Sequence, residues 1–120
     1  MKILIVDDNP KLRLLYQEEF GEDGYQVLVA ENGRQALTML DQMPDIVVLD
    51  IMMPGMDGIE LLGRILARNK KIKVLMNTAF SNFKDNFMTW PADAYVVKSG
   101  DLEELKRKVR ELAGIAIAQA

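Results

Sequence analysis

Acidic, hydroxyl and ammonium side chains stand at the ends of short apolar runs in this chain. Asp7 and Asp8 follow the first run, and Asp50 follows the third. Thr78 closes the fourth run, and Lys98 closes the fifth. Carboxylates can hold a cation, and a carboxylate can itself attack phosphorus to form an acyl phosphate. A hydroxyl and an ammonium group can then stabilise the phosphoryl oxygens. Phosphoryl transfer is therefore the chemistry that these residue types suggest.

The apolar runs alternate with helical patterns, and this alternation predicts the elements that position the polar residues. The runs occupy residues 3–6, 25–29, 46–49, 74–76 and 95–97. The first, third and fourth runs show no polar alternation, which is typical of parallel strands covered on both faces. Strict alternation of strand and helix predicts a single doubly wound α/β domain.

Helical patterns fill the intervals between the runs. The first helix is expected to begin at Asn9-Pro10, an N-cap residue followed by proline at the first helical position. The residues expected on its inner face are Leu12, Leu15, Tyr16 and Phe20. A weak fourth helix is predicted over roughly 81–89, and a fifth helix from Asp101 onward.

Parallel strands bring their carboxyl ends to one edge of the sheet, where ligands bind. A single Asp at a strand end is most often a turn former or a helix cap. Polar residues at the ends of four strands are better explained by one shared site. Three crowded carboxylates repel one another unless a cation lies between them. Oxygen-only ligands with open positions favour Mg²⁺, with Mn²⁺ or Ca²⁺ as alternatives.

Composition excludes several other kinds of site. The 120 residues contain neither histidine nor cysteine, which rules out a Ser-His-Asp triad, a thiolate zinc site and a phosphohistidine on this chain. The formal net charge of −3 argues against direct nucleic-acid binding. No apolar run approaches the roughly 20 residues that span a membrane, so a cytoplasmic protein is expected.

Longer motifs resemble those of the response regulator receiver domains of two-component systems. They are ILIVDD at 3–8, VVLDIMMPGMDG at 47–58, TA at 78–79 and ADAYVVK at 92–98. The resemblance implies a flavodoxin-like (βα)5 fold with a five-stranded parallel sheet in strand order 2-1-3-4-5. Residues 1–120 would then form one receiver domain, with about 114–120 as a helical extension or tail.

The resemblance also implies roles for the residues around the acidic cluster. Asp50 resembles the phosphoacceptor. Asp8 would bind Mg²⁺ or Mn²⁺ directly, Asp7 would bind it through water, and Met52 would offer its backbone carbonyl. Lys98 would pair with the phosphoryl group. The donor would be a phosphohistidine on a sensor histidine kinase, and the domain would lose the phosphoryl group slowly rather than turn over substrate.

A second set of residues is implied in the readout of phosphorylation. Thr78, which would also bind the phosphoryl group, and Tyr95 resemble a switch pair that shifts an equilibrium between two surface states. An output domain or a target protein would bind the switched surface. The candidate partner surface consists of Phe83, Phe87, Trp90 and Tyr95, although aromatic residues at this spacing also fit ordinary core packing.

Two features depart from the usual family pattern, namely the residue after Lys98 and the fourth helix, whose poor helix formers are followed by Pro91 where the family often has Gly. Ser99 follows Lys98 where the family usually has a proline with a cis bond before it. A cis bond before Ser would cost about 3 kcal/mol, so a trans bond is predicted. Met52 and Phe80 are apolar at positions that border the phosphate in the family. They are expected to exclude water and give a long-lived acyl phosphate.

Two other functions compete with a phosphorylation-dependent receiver. A metal-dependent aspartyl-phosphate phosphohydrolase would need a second acid-base Asp where Met52 stands. A pseudo-receiver would act only as an interaction module, which the complete acidic set disfavours. A homodimer through the fourth and fifth helices is a further hypothesis. The apolar stripe that suggests it, and that equally fits core packing, is Leu102, Leu105, Val109, Leu112 and Ala116.

Overall fold

Five parallel strands form the centre of the fold in a computed structural model that describes residues 1–79 and 91–118. The strands are β1 (Lys2–Val6), β2 (Gln26–Ala30), β3 (Ile46–Leu49), β4 (Lys73–Thr78) and β5 (Ala94–Val97). They pair in the order β2-β1-β3-β4-β5, and every pair is parallel. The predicted α/β class and the predicted strand order are both confirmed.

Four α-helices connect or follow the strands in the described part of the chain. They are α1 (Pro10–Glu22), α2 (Gly33–Met39), α3 (Gly58–Arg68) and α4 (Glu103–Ala118), and a 3-10 turn at Leu40–Gln42 follows α2. The helix predicted over 81–89 lies outside the described residues. The helix predicted as the fifth is therefore α4.

The described residues form two apolar core clusters, one on each face of the sheet, because successive strand residues point to opposite faces. We call them the α2–α3 cluster and the α1–α4 cluster after the helices that cover them. The α2–α3 cluster includes Leu4, Val6, Val47, Leu49, Val74, Met76, Ala36, Leu61, Leu62 and Ile65. The α1–α4 cluster includes Ile3, Ile5, Ile46, Val48, Leu75, Val96, Tyr16, Phe20, Leu105, Val109 and Leu112.

Helix α1 faces the sheet with residues four positions apart, which corrects one expectation. Tyr16 and Phe20 are buried, and Leu12 packs against the same cluster. Leu15 was expected beside them but is 39% exposed, because it lies off the line that these three residues form along the helix.

The apolar stripe of α4 is used inside the domain. Leu105, Val109 and Leu112 are buried in the α1–α4 cluster, and Leu102 packs against it. These residues therefore fit the core-packing interpretation, while the homodimer stays a prediction. Within the described residues, no helix combines the length and the apolar character that crossing a membrane requires.

Candidate functional site

Backbone hydrogen bonds continue past the strand ends and set the positions of the polar residues. The amide of Asp7 donates to the last residue of β2 at 3.2 Å, and that of Asp50 donates to the last residue of β1 at 3.1 Å. The amide of Lys98 donates to the carbonyl oxygen of Thr78 at 2.7 Å. The parallel register thus brings these residues to one edge of the sheet.

Three carboxylates meet at this edge. Asp7, Asp8 and Asp50 each place a carboxylate oxygen within 4.8 Å of the others. Asp7 is 2% exposed and Asp50 is 7% exposed, whereas Asp8 is open to solvent. The cluster therefore has two buried members and one member that solvent or a ligand can reach.

The ammonium group of Lys98 lies between the two buried carboxylates. Its Nζ is 2.7 Å from Asp7 Oδ2 and 3.0 Å from Asp50 Oδ2. One positive charge thus faces three negative charges, and the site keeps a net attraction for a further cation.

Burial and charge shift the pKa values of this pair in directions that suit the site. Burial raises the pKa of Asp50, and the charge of Asp7 adds to this, although the hydrogen bond from Lys98 opposes it. Burial alone would lower the pKa of Lys98, but the hydrogen bonds and charges of Asp7 and Asp50 together raise it. Lys98 therefore remains a cation, and its positive charge favours the ionised form of Asp50.

The donor set fits a hard divalent cation such as Mg²⁺. Asp7 already accepts hydrogen bonds at both carboxylate oxygens, from Asn9 N at 2.9 Å and from Lys98 Nζ at 2.7 Å. Among the described residues, no hydrogen-bond donor contacts the Asp8 carboxylate. Asp8 is thus best placed to bind a cation directly. The Met52 amide donates to Asp50 Oδ1 at 3.4 Å, while the role expected of the Met52 carbonyl stays a prediction.

The residues of the expected switch lie close to this edge in the sheet. Thr78 is fully buried at the last position of β4. Tyr95, on β5, is half-buried and packs against the α2–α3 cluster. The other aromatic residues expected on the partner surface, and Phe80, lie outside the described part of the chain. They are Phe83, Phe87 and Trp90.

Hydrogen bonds of Ser99 and Asp101 shape the loop after Lys98. No cis peptide bond occurs in residues 1–79 and 91–118, so the bond between Lys98 and Ser99 is trans, as predicted. Ser99 Oγ donates to the carbonyl oxygen of Asp101 at 2.7 Å and accepts from its amide at 3.2 Å. Asp101 Oδ1 in turn accepts from Glu103 N at 2.9 Å. Ser99 thus forms a compact turn that leads into α4.

Sequence analysis assigned no role to two residues that support the site. Arg13 on α1 donates from Nη1 to the carbonyl oxygen of Asp7 at 2.7 Å. Gly58 begins α3 and lies against the backbone of Asp50 and Ile51, with its amide donating to Ile51 O at 2.8 Å. A glycine where most residues could start a helix was the available signal for Gly58. Arg13 had no comparable signal.

Replacement of Lys98 by Met is expected to lower the free energy of unfolding in chelator by about 2 kcal/mol, because two buried acceptors lose their donor. Added Mg²⁺ should restore more stability to this variant than to the unchanged protein, since it supplies the missing positive charge. Urea unfolding in EDTA and in Mg²⁺ measures both effects. Lys108→Met is the control, because in the described part of the chain its ion pair is a long one, with Nζ 3.9 Å from the Glu111 carboxylate. Unchanged stability of Lys98→Met in chelator would contradict the pairing.

Comparison with known proteins places these features in a family. The family model for the response regulator receiver domain matches residues 3–110. The chain belongs to the response regulator receiver domain family. This receiver domain is 38% identical over 113 residues to sporulation initiation phosphotransferase F of Bacillus subtilis, with 92% of this chain and 91% of that protein covered.

Other relatives are longer proteins. The positive alginate biosynthesis regulatory protein of Pseudomonas aeruginosa is 42% identical over 115 residues, which cover 90% of this receiver domain and 46% of that protein. The transcriptional regulatory protein TrcR of Mycobacterium tuberculosis is 36% identical, and 45% of it is covered. The chain thus spans about half the length of these two regulators, and nearly all of the sporulation protein.

Solved structures share the fold closely. The response regulator TrrA of Thermotoga maritima, solved in complex with Mg²⁺-BeF, has a TM-score of 0.89 and 45% identity, with 92% of this chain and 97% of that chain covered. TrrA in complex with histidine kinase ThkA has a TM-score of 0.86 over the same coverage. The flavodoxin-like receiver architecture is therefore shared with these neighbours.

Proposed function

We propose that Asp50 accepts a phosphoryl group from a phosphohistidine of a partner histidine kinase in a Mg²⁺-dependent reaction. The observation that carries the proposal is the Asp50 carboxylate itself. It is buried, its Oδ2 lies 3.0 Å from Lys98 Nζ, and Asp7 and Asp8 lie within 4.8 Å. The Mg²⁺-BeF and histidine kinase complexes of TrrA support it.

The reaction uses the carboxylate as the nucleophile. An Asp50 oxygen forms a bond to phosphorus while the bond between phosphorus and the imidazole nitrogen breaks, and the imidazole takes up a proton. Asp8 and Asp50 would hold Mg²⁺ directly, Asp7 through water and Met52 through its backbone carbonyl, and the bound ion would supply positive charge to the phosphoryl oxygens. Lys98 transfers its contact from the carboxylate to the new phosphoryl oxygens.

The readout of phosphorylation follows from Thr78 and Tyr95. The Thr78 hydroxyl moves to donate to a phosphoryl oxygen, and Tyr95 turns further inward from its half-buried position. These changes shift the domain between two surface states, of which an output domain or a target protein binds one. The surface of Tyr95 with Phe83, Phe87 and Trp90 is the proposed site of that contact.

The domain signals rather than turns over substrate. Met52 occupies the position where an aspartyl-phosphate phosphohydrolase would need a second acid-base Asp, and it is 52% exposed. Incubation with Mg²⁺ and a small phosphoryl donor separates the alternatives. Labelling that stops at one phosphoryl group per chain supports the receiver, sustained release of phosphate supports the hydrolase, and absence of labelling supports the pseudo-receiver.

Asp8→Asn is expected to remove most of the stabilisation that Mg²⁺ gives. For the unchanged domain, Mg²⁺ at a hundred times its Kd should raise the free energy of unfolding by about 2.7 kcal/mol. In chelator the variant should be at least as stable as the parent, because one of three like charges is gone. Thermal unfolding with and without Mg²⁺ measures both. Asp41→Asn, an exposed Asp of the 3-10 turn, is the control, and an equal Mg²⁺ response in both variants would contradict the assignment.

Met52→Asn is expected to shorten the lifetime of the acyl phosphate by about tenfold, which corresponds to ~1.4 kcal/mol of activation free energy. An apolar side chain beside the phosphoryl group limits the approach of water, and an amide can orient it. Decay of the labelled protein after removal of the donor measures the lifetime. Met43→Asn is the control, because this exposed Met precedes β3 at the other end of that strand. A lifetime unchanged by Met52→Asn would refute the idea.

The remaining proposals concern the extent of the domain, its assembly and its location. Residues 1–120 form one receiver domain, and α4 extends to Ala118, beyond the residue 110 at which the family match ends. The homodimer through the segment 81–89 and α4 and the cytoplasmic location stay predictions.

A further inference from the structure

A hydrogen bond between two side chains lies inside the otherwise apolar α1–α4 cluster. Asn77 Nδ2 donates to Tyr16 Oη at 3.1 Å, across 61 positions of the chain. Asn77 is 2% exposed and Tyr16 is 3% exposed. Burying polar groups costs free energy that an apolar pair of similar size would not, whereas a satisfied buried pair fixes one geometry. The pair is therefore suited to fixing the positions of α1 and β4 relative to each other.

The pair lies directly behind the strand end that carries Thr78. Side chains of a strand alternate between its two faces. Leu75 belongs to the α1–α4 cluster and Met76 to the α2–α3 cluster, so Asn77 faces α1 and Thr78 faces the other way. A displacement of Thr78 along or across the sheet must therefore move Asn77 as well. Through its hydrogen bond with Asn77, Tyr16 contacts β4 on the face opposite to the Thr78 side chain.

The charges of the acidic site also affect the pKa of the Tyr16 hydroxyl. Burial raises the pKa of Tyr16, and the hydrogen bond from Asn77 opposes this. The charge of Lys98 lowers the same pKa, whereas the charges of Asp7 and Asp50 raise it. The Tyr16 hydroxyl is therefore electrostatically coupled to Lys98, Asp7 and Asp50. A change of charge at Asp50 should therefore be detectable at Tyr16.

We propose that Tyr16 and Asn77 are positioning residues for phosphorylation, and that their hydrogen bond fixes the end of β4 so that Thr78 meets the phosphoryl group on Asp50. This inference rests on the proposed acceptance of a phosphoryl group by Asp50. It also makes α1 a second element coupled to the switch, because Asn77 transmits movement of Thr78 to Tyr16.

The first test compares rates of phosphorylation by phosphoramidate in Mg²⁺. Tyr16→Phe, which removes only the hydroxyl group, should lower the rate constant about fivefold, the factor that one neutral hydrogen bond is worth. Tyr25→Phe is the matched control, because Tyr25 packs edge-on against Phe20 with ring centroids 6.0 Å apart and has no place in the site. Its rate should equal that of the unchanged protein.

The double variant Tyr16→Phe/Asn77→Leu distinguishes an effect on the positioning of Thr78 from an effect on the stability of the domain. Tyr16→Phe alone leaves a buried amide without its partner and should be less stable, whereas the double variant replaces both polar groups and should regain stability. The rate should not recover with it, because the end of β4 is no longer tied to α1. Urea unfolding gives the stabilities, and rates are compared where circular dichroism shows every variant folded.

A spectroscopic readout tests the coupling directly. In protein labelled with ¹³C at the tyrosine ring, the Tyr16 signal is assigned by its loss in Tyr16→Phe. Beryllofluoride with Mg²⁺ should shift this signal and leave the Tyr25 signal in place.

The outcomes distinguish this inference from the function on which it rests. Absence of labelling in the unchanged protein would contradict phosphoryl acceptance itself. Normal labelling together with an unchanged rate in Tyr16→Phe would overturn the positioning role alone. Recovery of both rate and stability in the double variant, or a Tyr16 signal that beryllofluoride does not move, would do the same.

Discussion

Replacement of Asp50 by Asn is expected to reduce phosphoryl incorporation to background. The amide oxygen is uncharged and far less nucleophilic than a carboxylate, so no acyl phosphate forms. The fold should survive, because the Asp50 carboxylate is one of two buried acids that share the single cation Lys98. Burial raises the pKa of Asp50, which means that its ionised form is held at a cost that Asn does not carry.

The measurement is incorporation of phosphate from phosphoramidate in Mg²⁺, followed by intact mass. Asp57→Asn is the matched control, since Asp57 is an exposed carboxylate seven residues later that accepts a hydrogen bond from Glu60 N at 2.8 Å. Asn also caps helices, so this variant should incorporate phosphate normally. Full incorporation by Asp50→Asn would show that another residue is the acceptor.

Gly58→Ala is expected to damage the site and the fold together. A Cβ at this position would overlap the carbonyl oxygen of Asp50 and would lie 2.8 Å from Ile51 Cα. These are backbone atoms, so relief requires the loop after β3 or the start of α3 to move. Such overpacking should lower the free energy of unfolding by about 3 kcal/mol. Displacement of Asp50 by even part of an ångström should slow phosphorylation by about tenfold or more.

Gly63→Ala provides the control within the same helix. A Cβ at Gly63 meets no atom within 4 Å, and the residue lies in the interior of α3. Alanine there should stabilise the domain by about 0.5–1 kcal/mol through its better helix propensity, with phosphorylation unchanged. Urea unfolding and the rate of labelling measure both variants. Equal behaviour of the two alanine variants would refute the proposed close packing of Gly58 beneath Asp50.

The sequence predicted the convergence of the site because parallel pairing leaves little freedom. Once strands 1, 3 and 5 are recognised, their carboxyl ends must share an edge, and Asp7, Asp50 and Lys98 follow those ends directly. The N-cap Asn9 was predictable for a similar reason, because the cap and the following proline act within one turn. Local patterns with one physical solution were therefore predicted correctly.

Contacts between distant parts of the chain could not be predicted in the same way. The Asn77–Tyr16 hydrogen bond depends on how α1 rotates over the sheet, and periodicity alone does not set that rotation. The same rotation exposes Leu15, which the pattern placed inward. The Arg13 contact with the Asp7 carbonyl requires a side-chain conformation that only the folded loop selects.

The most direct test of the central claim locates the phosphoryl group. The unchanged domain is treated with phosphoramidate and Mg²⁺, reduced with borohydride to trap the acyl phosphate, digested and analysed by mass spectrometry. A single modified site at Asp50, absent when Mg²⁺ is removed with EDTA, is the predicted result. Modification at another residue, or equal modification of Asp50 in EDTA, would contradict it.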